Sequence, residues 1–287
     1  RNLNLRIFML SRRQFLKGAL AVGTASLVAD GILFEPRHVI VEEKTVAIND
    51  LPDVFEGFKI CQITDVHHSS FVGLRFIERV VDKANSLKPD LMVLTGDYID
   101  GSRKYIMPAV SALCKLNAPY GTLAVLGNHD HWRDAELTKD VFSKYHVPVI
   151  TNEHRFIEIK DRAICVAGVG DFMEGVQDLK AAFYGVPHDI PRILLSHNPD
   201  YAEVMPKIER VDLVLSGHTH GGQIKIPFSI APVTMSRYGQ KYIGGLVKLA
   251  NTQVYVSRGI GVVGLPIRFN CPPELTLLTL TKAVQKA

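Results

Sequence analysis

No two of the four cysteines stand at C-x-x-C spacing, so the chain encodes neither a zinc ribbon nor a dithiol redox site. Cys61 and Cys165 fall inside apolar, strand-like runs, where a thiol packs as a small hydrophobe, and no obligatory disulfide is expected. No internal repeat or low-complexity block divides the 287 residues, and nothing after residue 40 reads as a linker, so the body is one domain with a sizeable core. Acids are missing from the first 29 positions, which carry Arg1, Arg6, Arg12, Arg13 and Lys17. Without those five of its 33 bases, the chain sets 28 bases against 29 acids. The body therefore lacks the basic surplus of a general nucleic-acid binder.

The basic start runs through Ser11-Arg12-Arg13-Gln14-Phe15-Leu16-Lys17 into a short, mildly apolar stretch from Gly18 to Ala29. That order reads as a targeting segment rather than a folded helix. The arginine pair with Phe-Leu-Lys behind it resembles a bacterial twin-arginine signal. The resemblance implies the twin-arginine export machinery as a partner. It also implies a place in the periplasm or on the outer face of the cytoplasmic membrane, with membrane association if the segment is kept. Residues 1–35 are accordingly expected to be a signal segment or anchor, and 36–287 a catalytic domain. The apolar run is short for a full span.

The body repeats one device five times. A short apolar run ends at once in a polar, glycine-rich turn: Lys59 to Thr64 before Asp65-Val66-His67, and Leu91 to Thr95 before Gly96-Asp97. The same occurs from Thr122 to Leu126 before Gly127-Asn128-His129-Asp130, and from Arg192 to Ser196 before His197-Asn198. The fifth is Val211 to Ser216 before Gly217-His218-Thr219-His220-Gly221-Gly222-Gln223. Continuous apolar runs suit strands buried on both faces, and open α/β sheets place their ligands beyond the carboxyl ends of such strands. Converging ends would gather Asp65, His67, Asp97, Asn128, His197, His218 and His220. Carboxylates, an amide and imidazoles without thiolate suit Mn, Fe, Zn or Co. Seven donors are too many for one tetrahedral ion and suit two ions sharing a carboxylate.

In this order the motifs resemble the calcineurin-like metallophosphoesterase superfamily, from about Lys59 to Gln223. The resemblance implies a four-layer αββα sandwich and two divalent metal ions. Asp65, His67, Asp97 and His220 would hold the first ion, and Asp97, Asn128, His197 and His218 the second. It further implies phosphodiester or pyrophosphate hydrolysis by in-line attack of a hydroxide between the ions. His129 would stabilise the phosphoryl group and protonate the leaving oxygen, and Asp130 would orient that imidazole. A phosphomonoesterase is the alternative within the class. Exported relatives that cleave nucleotide-linked lipids extend the substrate range to UDP-diacylglucosamine-type compounds. The tyrosine ligand of purple acid phosphatases falls here on Asp100, with Tyr98 displaced by two positions, so an iron–tyrosinate centre is not expected. Every motif position is filled, which favours an enzyme over a ligand-binding scaffold.

Helical spacing is seen over Leu74–Leu87, Ile106–Leu116 and Asp134–Tyr145, with Asp134 as a cap. An edge strand is expected over Val39–Ile48, and the second half reads as strands Phe156–Ile159, Ala163–Val169, Ile193–Ser196, Leu213–Ser216, Val254–Ser257 and Leu275–Leu280. His68, His131, Asp171 and Arg258 lie near the motifs as secondary candidates for the site. The apolar segment from Lys225 to Gly245, with Pro227, Phe228, Ile230 and Met235, reads as a long loop beside it.

Overall fold

A computed structural model describes residues 11–207, 210–226 and 230–283. Arg1 and Arg6 of the N-terminal basic region, and Pro227 and Phe228 of the long loop, lie outside the described residues. The chain forms helix α1 (Arg12–Ala29), then strand β1 (Ile40–Ile48), and then an alternation of strands and helices. That alternation is β2 (Lys59–Ile63), α2 (Leu74–Ser86), β3 (Leu91–Thr95), α3 (Ile106–Leu113), β4 (Thr122–Val125) and α4 (Asn128–Lys144). The second half holds β5 (Glu153–Ile159), β6 (Arg162–Gly168), α5 (Leu179–Ala182), β7 (Arg192–Leu195), α6 (Tyr201–Val204) and β8 (Leu213–Ser216). It ends with β9 (Gly245–Lys248), β10 (Gln253–Val256) and β11 (Glu274–Lys282).

Two sheets result, ordered β1-β11-β2-β3-β4 and β5-β6-β7-β8-β10-β9. Strands β2, β3 and β4 run parallel, as do β6, β7, β8 and β10, so their carboxyl ends share one edge within each sheet. The C-terminal strand β11 closes the first sheet, antiparallel to β2 and parallel to β1.

The continuous apolar runs are explained by layers on both sides. Along β3, Leu91 and Val93 point between the sheets, while Met92 and Leu94 pack beneath the helices. Along β8, Leu213 and Leu215 face the first sheet, and Val214 faces outward to Leu179, Phe183 and Tyr201. A strand with period-2 alternation feeding two apolar layers needs no polar face. The arrangement is the expected αββα sandwich. One polar group crosses the inter-sheet layer: buried Gln62 donates to Thr95 Oγ1 and to the Ser216 carbonyl, both at 2.9 Å, tying the two catalytic strand ends together.

Two local expectations are corrected. The targeting segment does form a helix. Ser11 caps it by accepting from the Gln14 amide, and the Gln14 side chain returns to the Ser11 amide, closing a capping box. None of its residues is buried, so the absence of packing was rightly expected and the absence of helix was not. Helix α4 begins at Asn128 rather than Asp134. Asp134 interrupts it with an extended backbone and caps the second part by accepting from Leu137 N at 2.9 Å. A short edge strand that was not expected, β9, begins where the long loop ends and runs antiparallel to β10. All four cysteines are free thiols.

Leu195 is fully buried between the sheets, one strand end away from His197. Leu195→Ala should lower unfolding free energy by about 2–5 kcal/mol, read by urea titration. A change below about 1 kcal/mol would mean that the inter-sheet layer is not close-packed there.

Candidate metal centre

The strand ends that carry the motifs meet where the two sheets adjoin. Asp65, His67, Asp97, Asn128, His197 and His220 are all buried there, and His218 is nearly so. Five of these seven residues have left-handed backbones: Asp65 (φ 51°), His67 (47°), Asp97 (58°), His218 (69°) and His220 (52°). Such non-glycine conformations cost on the order of 1–3 kcal/mol each and survive only where surrounding contacts dictate them. Each lies two to four residues past the end of its strand.

Two glycines make room for the carboxylates. A Cβ on Gly217 would stand 2.1 Å from Asp65 Oδ2, and one on Gly127 would stand 2.3 Å from Asp97 Oδ1. The His218 amide donates to both oxygens of Asp65 at 3.0 Å. The His129 amide donates to Asp97 Oδ1 at 2.8 Å, which leaves Asp97 Oδ2 facing His197 Nε2 at 3.2 Å and His67 Nε2 at 3.5 Å. Asp97 therefore stands between two groups. One is Asp65, His67 and His220, where the two imidazole Nε2 atoms lie 2.9 Å apart and His220 Nε2 lies 3.4 Å from Asp65 Oδ1. The other is Asp97, His197 and His218, with Asn128 Oδ1 3.1 Å from His218 Nδ1.

These donors fit metal ions. Nitrogens each about 2.0–2.1 Å from a common ion lie roughly 3 Å apart, and the His67–His220 spacing agrees. His197 turns Nδ1 to the Thr95 carbonyl at 2.8 Å, which fixes its orientation and leaves Nε2 for the centre. Burial disfavours the charged form of Asp65 and Asp97. The facing imidazoles, His220 for Asp65 and His197 for Asp97, overcome it and hold both carboxyls well below the usual range. Burial holds His220 well below the ordinary imidazole value, and burial together with His197 lowers His218. Burial lowers His67 and His197 as well, but Asp65 and Asp97 beside His67, and Asp97 beside His197, raise both above the ordinary imidazole value, so metal binding there would displace protons.

Asp130 does not reach the His129 ring as expected. Its two oxygens accept from the amides of Asp97 (2.8 Å), Tyr98 (2.9 Å) and Gly127 (2.9 Å), clamping the β3 and β4 loops to each other. Burial and the Asp97 charge push Asp130 up to about 7, against those amide donors. The imidazole partner is Asp100, with Oδ1 3.1 Å from His129 Nδ1. Spacing favoured the adjacent acid, but residue 130 sits in the first turn of α4 with its side chain turned back over the amides. Tyr98 is buried, and its hydroxyl donates to the Val125 carbonyl at 2.5 Å, away from the centre.

Of the secondary candidates, His68 is buried, with Nδ1 2.7 Å from the Val72 carbonyl. Asp171 is buried and caps its own turn through Met173 and Glu174 amides. Arg258 pairs with Glu274 (2.9 Å) and Glu42 (3.2 Å). His131 is partly buried on α4. Trp132, which no motif marks, packs its ring 4.6 Å from that of His129 and donates its indole N–H to Glu174.

A four-layer sandwich with histidines and carboxylates converging at its strand ends defines the metallo-dependent phosphatase class of fold. Residues 58–222 match the calcineurin-like phosphoesterase family, and the chain belongs to it. Residues 9–29 match the twin-arginine translocation signal sequence. The chain is 37% identical to the uncharacterized metallophosphoesterase YkuE of Bacillus subtilis over 281 residues, covering 94% of this chain and 98% of that one. It is 33% identical to phosphodiesterase YaeI of Escherichia coli, covering 95% of this chain and all of that one (100%). Among solved structures, 81% of the chain overlays 58% of the Thermus thermophilus sulfate thiohydrolase SoxB (TM-score 0.52, 13% identity). A further overlay joins 71% of the chain to 45% of Haemophilus influenzae NAD nucleotidase (TM-score 0.50, 16% identity). Those two likenesses concern the fold alone. The chain is a metallophosphoesterase, a hydrolase of phosphoester bonds in a family that uses divalent metal ions, and it carries a signal for twin-arginine export.

Gly217→Ala should reduce bound metal by about 10–100-fold in affinity, because the added methyl displaces Asp65. Metal analysis by mass spectrometry, beside an unchanged circular-dichroism spectrum, checks this. Full metal content would show that Asp65 is not a ligand.

Proposed function

We propose that Asp65, His67, Asp97 and His220 hold one divalent ion, that Asp97, Asn128, His197 and His218 hold a second, and that the centre hydrolyses phosphodiester or pyrophosphate bonds. The position of Asp97 Oδ2 between the His67 and His197 imidazoles carries this reading. Bound metals would supply Lewis acidity towards phosphoryl oxygens and make water more acidic. Manganese, zinc and iron all suit the donor set.

The chain's own groups supply the rest. His129 lies beside the His67 ring (4.6 Å between centroids) at the open side of the site. With Nδ1 engaged by Asp100, Nε2 is left to exchange a proton with the leaving oxygen. Burial lowers the His129 imidazole, the Asp97 charge raises it, His67 lowers it again and Asp100 raises it; the net direction is downward. A lowered imidazole carries its proton mainly on the acid side, so general-acid work by His129 should strengthen as the pH falls. Asp100 is a positioning residue. Asp130 keeps the β3 and β4 loops in register and acts on Asp97 rather than on His129.

The similarity to YaeI, named a phosphodiesterase, supports the diester preference. A monoesterase is the second reading, and nucleotide-linked lipids are the candidate pyrophosphates. The compartment is the periplasm or the outer face of the cytoplasmic membrane. Residues up to 35 serve as signal or anchor, and 36–287 as the catalytic domain.

Metal-stripped protein given Mn, Zn or Fe should turn over an aryl phosphodiester or a UDP-linked lipid faster than an aryl monoester, and without added metal it should turn over none of them. Faster monoester turnover would reverse the preference. His129→Ala should keep its metal and lose about 10²–10⁴-fold in turnover, whereas Asp97→Ala should lose the metal too. Asp100→Asn should reduce turnover at constant metal content and shift the pH profile. Asp130→Asn should lower metal content and stability instead. If Asp130→Asn shifted the pH profile while keeping its metal, and Asp100→Asn did not, the two roles assigned here would be reversed.

A further inference from the structure

Among the described residues, none covers helix α1, and none of its own residues is buried. Phe15, Leu16, Leu20 and Val22 are each more than half exposed, at 64%, 57%, 72% and 67%. Among the described residues, the helix and its extension to Arg37 form the one segment long and apolar enough to cross a membrane. Eighteen helical residues span about 27 Å, close to the hydrocarbon thickness of a bilayer.

The stalk after α1 docks on the catalytic body. Gly31 is buried, with its carbonyl accepting from Arg268 N at 2.9 Å, and a Cβ there would meet the Arg268 carbonyl at 3.0 Å. The Glu35 carboxylate accepts from the amides of Asn270 (2.9 Å) and Cys271. The stalk thus docks on the segment after β10, at the edge where the metal loops lie. Cys271 Sγ is 3.4 Å from the His220 carbonyl.

Exposed apolar side chains stand on that same edge, each on a loop that follows a strand end. Phe71 (57% exposed) follows β2 and Leu265 (62%) follows β10. Val233 and Met235 follow β8, in a loop tied to the Leu265 loop by the two Gln223–Val263 hydrogen bonds. A groove of about 430 Å³ runs between the stalk and the start of α2. Ile32, Leu33 and Phe71 line it together with three guanidinium groups, those of Arg37, Arg75 and Arg79, and no carboxylate does.

We propose that this edge is a bilayer-facing surface, on which Ile32, Leu33, Phe71 and Leu265 enter the membrane interface and Arg37, Arg75 and Arg79 receive the phosphates of anionic phospholipids. Apolar tips among cations suit the headgroup boundary, where apolar burial and electrostatic attraction to anionic lipid add. The same cations have no acidic partner in the groove. The helix leaves the body from this edge, so a chain anchored by α1 brings the edge to the lipid surface. The open side of the metal centre then faces a membrane-borne substrate.

The test uses the full chain in nanodiscs of mixed phosphatidylglycerol and phosphatidylcholine. Nitroxide labels are placed at Phe71→Cys and Leu265→Cys, and at Asp161→Cys in the β5–β6 turn at the opposite edge as a control. The chain without an added cysteine sets the background. Positions 71 and 265 should be more accessible to oxygen than to a water-soluble nickel chelate, and position 161 the reverse. Chelate exceeding oxygen at 71 and 265 would overturn the proposal and leave α1 as a mere tether. Low accessibility to both reagents would also overturn it, in favour of contact with a second copy. In pure phosphatidylcholine the oxygen preference should fall at least several-fold; an unchanged preference would overturn the part given to the arginines. The readout is lipid contact, so its failure is distinct from a failure of the hydrolase reading.

Discussion

Asp97 has to remain ionised in a place where water cannot reach it. Its carboxylate is buried, and the two imidazoles a few ångströms away, with the His129 amide, make its charge tolerable. Much of the fold can be read as the machinery that keeps it there. The His129 amide holds one oxygen, and Asp130 clamps the Asp97, Tyr98 and Gly127 amides so that the loops of two neighbouring strands move as one. The second sheet delivers His197, whose ring is fixed by a carbonyl of the first sheet, Thr95. The centre thus exists only where both sheets are in register. The buried Gln62 bridge and the apolar layer around Leu195 set that register.

The left-handed turns at five donor residues are the strain that this arrangement carries. Two rigid strands ending at one edge can present short side chains to a common point only if the backbone doubles back at once. Gly127 and Gly217 let those turns approach the carboxylates closely. Metal would return part of the energy stored in gathering two carboxylates and four imidazoles without solvent.

The convergence of the seven donor side chains was legible because the strand ends in α/β sheets are apolar before and polar after, and the chain has five such transitions. The αββα layering followed from strands without a polar face. What sequence could not show were contacts set by geometry across long separations. Asp100 meets His129 across 29 positions, while the adjacent Asp130 turns the other way, because a residue in the first turn of α4 points back over the preceding loop. Buried Arg268, which reaches the carbonyls of Arg258, Gly259, Gly261 and Cys271, carries no motif at all. Glu35 falls in the expected signal or anchor segment, yet its carboxylate accepts from the Asn270 and Cys271 amides beside the metal loop. Strand β9 was hidden by its shortness, its opening glycine and its partial exposure at a sheet edge.

The account rests on two ions sharing Asp97. Diffraction from crystals of the manganese-loaded protein, collected at the manganese absorption edge, tests that directly. Two anomalous peaks about 3.5–4 Å apart, one on each side of the Asp97 carboxylate, are the expected result. A single peak, or two peaks with Asp97 bound to neither or only one, would contradict it.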